Sequence, residues 1–231
     1  MIVLDDRLAA VEEMVRPGVR VADVGTDHGY LIASLLQSGK AVFGYACDIH
    51  RQPLEKAAET LEKYGLTQRV QLLLGDGLKG LASQQVDDVI IAGMGGDMIL
   101  HILDEARWEI PTQRFILQPM TKVHELRAGL YQRGYEILQE RAAQAKGFVY
   151  TVMQVRWSGE QKTVADLFAR VGLLPQDPSP AALAYLNRQA DSVRAIGAGL
   201  EKSNTNRDKT EKYYRLAEEI EEICRKCEEK G

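Results

Sequence analysis

Residues 20–30 read RVADVGTDHGY, in which an apolar run ends, glycines follow, and a segment of helical periodicity begins. A strand that turns through glycine into a helix is the first unit of a parallel α/β sheet. The glycines allow a ligand to approach the backbone closely, and Asp23 at the strand end can face a cationic amino group. Because Asp27 stands between Gly25 and Gly29, the spacing differs from the dinucleotide-binding pattern Gly-x-Gly-x-x-Gly. An ordinary tight turn therefore remains an alternative for this stretch alone.

Short apolar runs rich in valine and isoleucine continue to alternate with helical patterns beyond this stretch. That alternation is typical of crossover units that feed a parallel sheet. It predicts five strands, at residues 20–24, 41–47, 70–74, 86–92 and 114–118. The helices predicted between them and after the fifth strand are residues 30–37, 52–64, 96–104 and 122–132.

The rhythm changes after the fifth strand and its helix. Residues 135–140 and 148–157 are strand-like, and the polar link RAAQAKG between them is too short for a parallel crossover. These two runs are therefore predicted to form an antiparallel hairpin that ends the sheet. Five parallel strands closed by a hairpin is the layout of the class I, Rossmann-like methyltransferases, whereas nicotinamide-binding folds usually continue with a sixth parallel strand. The predicted fold class is α/β, and this sheet is expected to occupy residues 1–158.

A second domain is predicted over residues 159–231. Its first part contains several glycines and prolines, which mark a linker with a short helix near residues 164–171. Two long helical patterns follow, each with apolar residues at alternating steps of three and four. The seam positions are Leu183, Leu186, Ala190, Val193, Gly197 and Leu200, then Tyr213, Leu216, Ile220, Ile223 and Cys227. These seams predict an antiparallel helical coiled-coil hairpin that turns at residues 203–206.

The charge of the chain is uneven. The net charge is −4, yet residues 1–110 carry 17 acidic against 10 basic side chains, whereas residues 111–175 carry 5 against 9. A nucleic-acid surface is therefore expected only after residue 110. Around the turn of the helical hairpin basic residues again outnumber acidic ones, and we expect phosphate contacts there, with an ordinary solvated helix face as the alternative. The expected contact residues are Lys202, Arg207 and Lys209.

Composition narrows the class of protein further. No apolar run approaches the roughly 18 residues that span a bilayer, and the amino-terminal segment is acidic and amphipathic. Of the three cysteines only Cys224 and Cys227 are close together, and the further ligands that zinc requires are not evident near them. Packing on the helical seam is the favoured explanation of Cys227. The sequence thus predicts a cytoplasmic, monomeric protein with no metal and no membrane contact.

Acidic residues also end the second and third predicted strands. Asp48 follows the second strand, where a carboxylate can accept both hydroxyl hydrogens of a ribose, in NAD or in S-adenosylmethionine. Asp76 lies between Gly75 and Gly77, where it can accept the amino hydrogen of an adenine ring while the glycines leave room for that ring. The alternative is that Asp76 only caps the next turn. Acids after three successive strands favour a nucleotide-like ligand at that edge.

The fourth strand ends in the sequence AGMGG, residues 92–96, and the fifth in Gln118-Pro119-Met120. Enzymes that methylate an exocyclic amino group commonly place Asp or Asn, prolines and an aromatic residue after the fourth strand, and these are absent from AGMGG. A small loop at Gly93 and Met94 suits a target that is already nucleophilic, such as a ring nitrogen, which needs positioning more than activation. Gln118 is expected at the rim of the same edge.

Four motifs, ADVGTDHGYL, GDGL, AGMGGDMI and ILQPM, resemble in order and sequence those of the bacterial TrmK family, tRNA methyltransferases that modify N1 of adenine 22. The resemblance covers nearly the whole chain, although Gly29 and Ile32 differ from the residues common there. It implies S-adenosylmethionine as cofactor, folded tRNA as substrate, and residues 1–158 as the catalytic domain. The expected cofactor-binding residues are Asp23, Gly25, Thr26, His28, Gly29, Tyr30, Asp48, Ile49, Gly75, Asp76, Gly77 and Gln118.

The same resemblance implies an in-line transfer in which the adenine N1 lone pair attacks the sulfonium methyl, with the target base unpaired or flipped out. Gly93 and Met94 are expected at the catalytic loop, and Asp27 is expected to stabilise the charge that forms on the ring. Asp27 as a helix N-cap and cofactor contact is the equal alternative. A non-catalytic RNA-binding or regulatory protein with a nucleotide pocket is the alternative function. A nicotinamide oxidoreductase is a weaker one, because of the hairpin and Asp76.

Overall fold

The chain folds around one seven-stranded sheet in a computed structural model that describes residues 2–203 and 207–229. The strands are β1 Val19–Val24, β2 Ala41–Asp48, β3 Val70–Leu74, β4 Asp88–Gly95, β5 Arg114–Thr121, β6 Tyr135–Ala145 and β7 Phe148–Trp157. Their order in the sheet is β3-β2-β1-β4-β5-β7-β6. All seven predicted strands are therefore confirmed, and they lie in one sheet.

The first five strands are parallel, as predicted. β1 pairs with both β2 and β4, so the direction in which strands are added reverses there. Ligands of open α/β sheets bind outside the carboxyl ends of the strands at such a point. β4 and β5 both extend three residues beyond the prediction, to Gly95 and Thr121. Their terminal motifs therefore belong to the edge of the sheet itself.

β6 and β7 form the predicted antiparallel hairpin, and β7 joins the hairpin to β5. The predicted seven-residue link was wrong, because residues 141–145 extend β6 and only Lys146 and Gly147 form the turn. Both turn residues have positive φ, 52° and 79°, which suits a two-residue hairpin. The extension escaped the prediction because its polar residues alternate with small buried alanines, Ala143 and Ala145, and not with large apolar residues.

Helices cover both faces of the sheet. They are α1 Asp6–Met14, α2 Tyr30–Gln37, α3 Arg51–Lys63, α4 Gly96–Ala106 and α5 Val123–Gln132. The last four confirm the predicted helices to within two residues, whereas α1 was not predicted. Asp5 begins α1 by accepting a hydrogen bond from the Leu8 N–H at 2.9 Å. Alternating strand residues divide between two apolar clusters, with Ile90 in one and Val89 and Ile91 in the other.

The carboxyl-terminal part is helical: α6 Asp166–Val171, α7 Pro180–Lys202 and α8 Arg207–Glu228. α7 and α8 pack along the predicted seam, where Leu186, Val193 and Ile220 are fully buried. The coiled-coil hairpin is therefore confirmed, while residues 204–206 of its predicted turn lie outside the described residues. In the part of the chain that the structure describes, no helix has the length and apolar character needed to cross a membrane.

A buried ion pair joins the sheet to these helices. Arg127 of α5 donates to Glu140 of β6 with an Nη2–Oε1 distance of 2.7 Å, and both side chains are inaccessible to solvent. Arg127 also donates to the Ala169 carbonyl oxygen at 2.8 Å. Glu140 accepts from the Thr151 hydroxyl at 2.6 Å and from the Leu173 N–H at 2.9 Å. The network ties α5, β6, β7 and the segment around α6 together.

Candidate functional site

The carboxyl ends of β1, β2, β4 and β5 lie side by side. We call the space at this edge of the sheet the cleft. Asp23 of β1 pairs with Ala46 of β2 and with Ile90 of β4. At the end of β4, Ala92 pairs with Gln118 of β5. The motifs predicted from separate strand ends are therefore neighbours in the structure.

The loop after β1 is held against the loop after β4. Gly25 has φ +79°, and a Cβ added to it would lie 2.4 Å from the Met94 Cε. The positive φ therefore favours glycine here, and a larger residue would also displace the flexible end of the Met94 side chain. The N–H groups of Gly25 and Thr26 both donate to the Cys47 carbonyl oxygen, at 2.8 and 3.1 Å. Met94 thus lies directly against the glycine turn.

Asp23 is a buried acid with no basic partner among the described residues. It is 5% exposed. Burial, with a further contribution from the negative charge of Asp48, raises the pKa of Asp23 to about 6. The Thr26 hydroxyl lies near this carboxyl and favours its ionised form. Thr26 Oγ1 is nevertheless buried without a hydrogen bond of normal geometry to any described residue, so two polar groups here lack a full set of partners.

The end of β2 carries Asp48, which is half-buried. Its Oδ1 accepts from the His50 N–H at 2.7 Å, while Oδ2 makes no hydrogen bond within the described part of the chain. The Asp48 carbonyl oxygen accepts from the Gly75 N–H at 2.9 Å, which fixes the end of β3 beside it. Ile49 is exposed next to Asp48. The cleft therefore offers one free carboxylate oxygen and an apolar side chain at this strand end.

Asp76 is more exposed than Asp23 and already has a partner. It forms an ion pair with Lys79 at 2.9 Å, and the hydrogen bond from Lys79 lowers its pKa. The alternative that Asp76 caps the next turn was wrong, because its side chain bonds the Lys79 ammonium and, among residues 2–203 and 207–229, no backbone N–H. Gly77 has φ +61° and lies against Ile102. A ligand amino group would therefore compete with Lys79 for the Asp76 carboxylate.

Asp27, His28 and Tyr30 form the outer side of the glycine turn. His28 Nε2 lies 3.4 Å from Asp27 Oδ2, and the His28 ring stacks on Tyr30 at 5.6 Å between centroids. The N-cap of α2 is Gly29, in the left-handed conformation, and no side chain caps the helix. The alternative of Asp27 as a helix N-cap was therefore wrong. Its carboxylate is exposed at the mouth of the cleft.

Gln118 was expected at the rim of this edge, and that placement was wrong because the residue is fully buried. Its Oε1 accepts from the Gly93 N–H at 3.1 Å, and its Nε2 donates to the Pro119 carbonyl oxygen at 2.9 Å. Gly93 has φ +82°, so a glycine suits this loop. The amide of Gln118 therefore holds the backbone of the loop after β4 in place.

Sequence reasoning missed Arg7, which completes this arrangement. Arg7 lies on α1, and its Nη1 donates to Gln118 Oε1 at 2.5 Å. The same nitrogen lies 3.9 Å from the position of a Cβ at Gly93. A guanidinium thus reaches the loop after β4 from the far end of the sequence. The two residues are 111 positions apart, and no local pattern connects them.

The basic residues predicted to contact RNA lie away from the cleft. Tyr185 of α7 contacts the buried Arg127, and so marks where this helix meets the sheet domain. Lys202 ends α7 about 25 Å further along the helix, at a rise of 1.5 Å per residue. Arg207 begins α8 and pairs with Glu211 at 3.0 Å. Lys209 is exposed on the same helix. They flank one end of the helical hairpin, and the structure does not bring them to the site of Asp23 and Met94.

The cysteine pair lies on α8. Cys224 is buried in the apolar cluster of the helical hairpin, and Cys227 Sγ lies 3.8 Å from the Pro175 carbonyl oxygen. Within residues 2–203 and 207–229, no group of three His, Cys, Asp or Glu side chains is arranged to hold a metal ion.

Comparison with known proteins shows which family of proteins this chain resembles. A family model described as a methyltransferase domain matches residues 4–153. The tRNA (adenine(22)-N(1))-methyltransferase of Bacillus subtilis strain 168 is 33% identical over 71% of this chain and 68% of its own length. The crystal structure of the B. subtilis M1A22 tRNA methyltransferase TrmK superposes with a TM-score of 0.80 at 26% identity, over 98% of this chain and 99% of that one. M. capricolum TrmK in complex with S-adenosyl-homocysteine superposes with a TM-score of 0.74 at 27% identity, over 97% and 98% of the chains.

Proposed function

This chain belongs to the family of tRNA (adenine(22)-N(1))-methyltransferases, and from that premise we propose how its cleft carries out the reaction. The protein is an S-adenosylmethionine-dependent enzyme that methylates N1 of an adenine in tRNA. The observation that carries the proposal is the contact between Gly25 and Met94, which places the cofactor turn directly against the loop after β4. Two reactants held on these loops would meet between them.

We propose that three acids hold S-adenosylmethionine, which supplies the methyl group as a sulfonium when bound. Asp23 would receive the cationic amino group, since it is buried without a cation of its own. Asp48 would receive the ribose hydroxyls at its free Oδ2, and Asp76 the adenine amino group in place of Lys79. The buried Thr26 Oγ1 supports the fit, because a ligand would supply the partner that it lacks. The rest of the proposed lining is Gly25, His28, Gly29, Tyr30, Ile49, Gly75 and Gly77.

The target adenine would lie over Gly93 and Met94. Its N1 carries a free lone pair, so the loop needs only to align the ring and exclude water, and a general base is not required. Gln118 accepts from the Gly93 N–H, and Arg7 holds the Gln118 amide. Both are proposed as positioning residues. Methylation at N1 leaves a positive charge on the ring, and the exposed carboxylate of Asp27 is proposed to stabilise it. Because N1 lies on the Watson–Crick edge, the base must be unpaired when it enters.

The direct test is transfer of labelled methyl groups to purified tRNA, followed by mass spectrometry of the nucleosides. We expect 1-methyladenosine in a transcript with adenine at position 22, and none in a matched transcript with guanine there. Methylation of the exocyclic amino group, or equal incorporation into both transcripts, would contradict the proposal. Cofactor binding without transfer to any tRNA would instead favour a non-catalytic RNA-binding protein.

We also propose a division of labour, with residues 1–158 for catalysis and residues 159–231 for holding the tRNA. Lys202, Arg207 and Lys209 would contact the tRNA backbone, far enough along α7 to reach a different part of the molecule from the target base. Ion pairs reduce the positive charge available on this surface, since Arg207 bonds Glu211 and Lys212 bonds Asp166.

Changing Lys202, Arg207 and Lys209 together to alanine should weaken tRNA binding and reduce the salt slope by up to about three phosphate contacts. Cofactor affinity should not change. The matched control is Arg225→Ala with Lys226→Ala, which removes two cations from the other end of α8, where both bond Glu222. An unchanged salt slope in the triple variant would contradict the RNA contact and leave the hairpin a structural role.

Two further properties are proposed. The relatives named above are bacterial, and bacterial tRNA is cytoplasmic, so we propose a cytoplasmic location. We propose a monomer because the apolar seam of α7 is covered by α8 of the same chain. Light scattering at several concentrations would test this, and a mass twice that of the chain would contradict it.

A further inference from the structure

A groove of about 300 Å³ lies between the end of β5, the start of β7 and the first turns of α7. Met120, Phe148, Tyr150, Tyr185 and Arg188 are among its lining residues. Its volume is at the lower end of the range for small-molecule pockets. The groove has no part in the cofactor site described above, although it adjoins the catalytic loop.

Large apolar side chains are exposed at this groove. Phe148 is 56% exposed and Met120 is 45% exposed. Phe148 and Tyr150 are two residues apart on β7, so their side chains point to the same face of the strand. The centroids of their rings are 6.4 Å apart. The exposed Phe148 ring beside the half-buried Tyr150 ring forms a surface on which a planar ring can stack.

The charges around the groove suit an anionic ligand. None of its lining residues is acidic. Arg188 is exposed and makes no ion pair with the described residues, whereas Arg133 and Arg156 in the same half of the chain are paired with Asp104 and Glu136. At the other side the Arg7 guanidinium carbon lies 6.0 Å from the centroid of the Tyr150 ring. The groove therefore has one arginine in its lining and a second beside one of its aromatic rings, and these positive charges suit a base with its phosphates.

The groove is continuous with the loop that would hold the target adenine. Pro119, which lines the groove, is the register partner of Met94. Gln118 Nε2 lies 3.7 Å from Met120 Sδ, while its Oε1 holds the Gly93 N–H. The groove therefore begins where the catalytic loop ends, on the side of Met94 away from the cofactor turn.

We propose that this groove binds an unpaired nucleotide next to the target adenine, with its base stacked on Phe148 and Tyr150 and its phosphate at Arg188. The proposal rests on the function proposed above. An adenine over Met94 leaves its neighbour in the RNA at the position of Pro119 and Met120, and stacking that neighbour would compensate for the stacking lost when the target is flipped out. The groove would thus help to hold the target base unpaired.

The test compares Phe148→Leu, which keeps an apolar side chain, with Phe148→Tyr, which keeps the aromatic ring. Base–aromatic stacking of the usual strength predicts that Phe148→Leu raises KM for tRNA by about fivefold or more. Phe148→Tyr should keep the wild-type KM, and affinity for S-adenosylmethionine should be the same in all three proteins. Val42→Ala is the matched control. Val42 is also exposed, but it lies at the amino end of β2, whereas the cleft is at the carboxyl end. Equal KM values in the Leu and Tyr variants would overturn the proposal.

A second variant and a fluorescent probe make the test independent of Phe148. Arg188→Gln should weaken tRNA binding and reduce the salt slope by about one, whereas Arg225→Gln should not. In a transcript with 2-aminopurine on either side of the target, wild-type protein should quench the fluorescence at one position, and Phe148→Leu should restore it.

The possible failures are distinguishable. Absence of tRNA methylation by the wild-type protein would contradict the proposed function. If the wild type methylates normally, and KM, salt slope and quenching are unchanged in both variants, the nucleotide-binding role of the groove is overturned while the proposed function stands. A change in mass of Phe148→Leu by light scattering, with unchanged tRNA kinetics, would assign the groove to self-association and also overturn the proposal.

Discussion

Asp23 at the cleft and Glu140 beneath α6 are buried to the same extent, since each residue as a whole is 5% exposed, but their surroundings differ. Glu140 accepts hydrogen bonds from Arg127, Thr151 and Leu173. Asp23 accepts none of normal geometry from the residues that the structure describes. A buried charge is costly unless it is paired and hydrogen-bonded. Glu140, with its partners, thus serves the fold, whereas the unpaired Asp23 suits the cationic ligand proposed above.

The raised pKa of Asp23 has a consequence for stability. Its value in the folded protein, about 6, lies above the ordinary value of 3.8. The folded state therefore binds this proton more tightly than the unfolded state. The stabilisation from the protonated carboxyl is complete below the ordinary pKa and is lost as pH rises through about 6. At neutral pH the free protein has an ionised buried acid, which a bound ammonium group would compensate.

Arg127→Met should have the largest effect, because it leaves Glu140 with a buried charge and no cation. The expected loss in free energy of unfolding is about 3 to 5 kcal/mol. Denaturant titration at neutral pH measures it. Arg133→Met is the control, since Arg133 forms a partly exposed pair with Asp104 and should lose less than about 1 kcal/mol.

Adding Glu140→Gln to Arg127→Met removes the unpaired charge. The amide oxygen can still accept from the Leu173 N–H, while the amide NH2 can donate to the Thr151 hydroxyl oxygen. The double variant should therefore be more stable than Arg127→Met alone. If the two are equally stable, or if Arg127→Met loses no more than the Arg133 control, the Glu140 network does not hold the helices on the sheet.

How far the sequence predicts the structure also differs between these two regions. Asp23 and Asp48 could be placed at one edge from the sequence because parallel strands bring all their carboxyl ends together. The parallel sheet, its terminal hairpin and the helical hairpin follow from apolar periodicity in the same way. Their placement needs no knowledge of side-chain contacts.

The contacts that the sequence did not predict connect distant segments. Arg7 meets Gln118 across 111 positions, and Arg127 meets Ala169 across 42. The periodicity of a sequence does not predict such pairs. Gln118 was expected at the rim because a polar residue after a strand is normally exposed. Its burial depends on α1, which has only a weak apolar pattern of its own and was not predicted as a helix.

Asp48→Ala should weaken binding of S-adenosylmethionine by about 1.5 to 3 kcal/mol, roughly 10- to 150-fold, through loss of charge-assisted hydrogen bonds to the ribose. It also removes a negative charge beside Asp23, so the pKa of Asp23 should fall. Calorimetry measures both, from the affinity and its pH dependence. Asp104→Ala, at a carboxylate paired with Arg133 and remote from the cleft, is the control. Unchanged affinity in Asp48→Ala would remove Asp48 from the site.

Asp27→Asn extends the comparison to an acid that is neither buried nor fully paired. We expect cofactor affinity to be retained and kcat to fall roughly tenfold, about 1.4 kcal/mol, since only the charge formed in the reaction would lose its stabilising partner. Single-turnover kinetics at saturating tRNA measures this. Full turnover by Asp27→Asn would show that its carboxylate has no role in the transfer.

The central claim is that Asp23 is unpaired because it receives the amino group of the cofactor. Calorimetric titration of S-adenosylmethionine into the wild-type protein from about pH 5 to about pH 8 tests it most directly. Affinity should rise with pH, by up to about tenfold per unit below the pKa of about 6, and then level off. Asp23→Asn should bind weakly with no such dependence and should be more stable than the wild type at neutral pH. Equal wild-type affinity at both ends of the range, or wild-type affinity in Asp23→Asn, would contradict the claim.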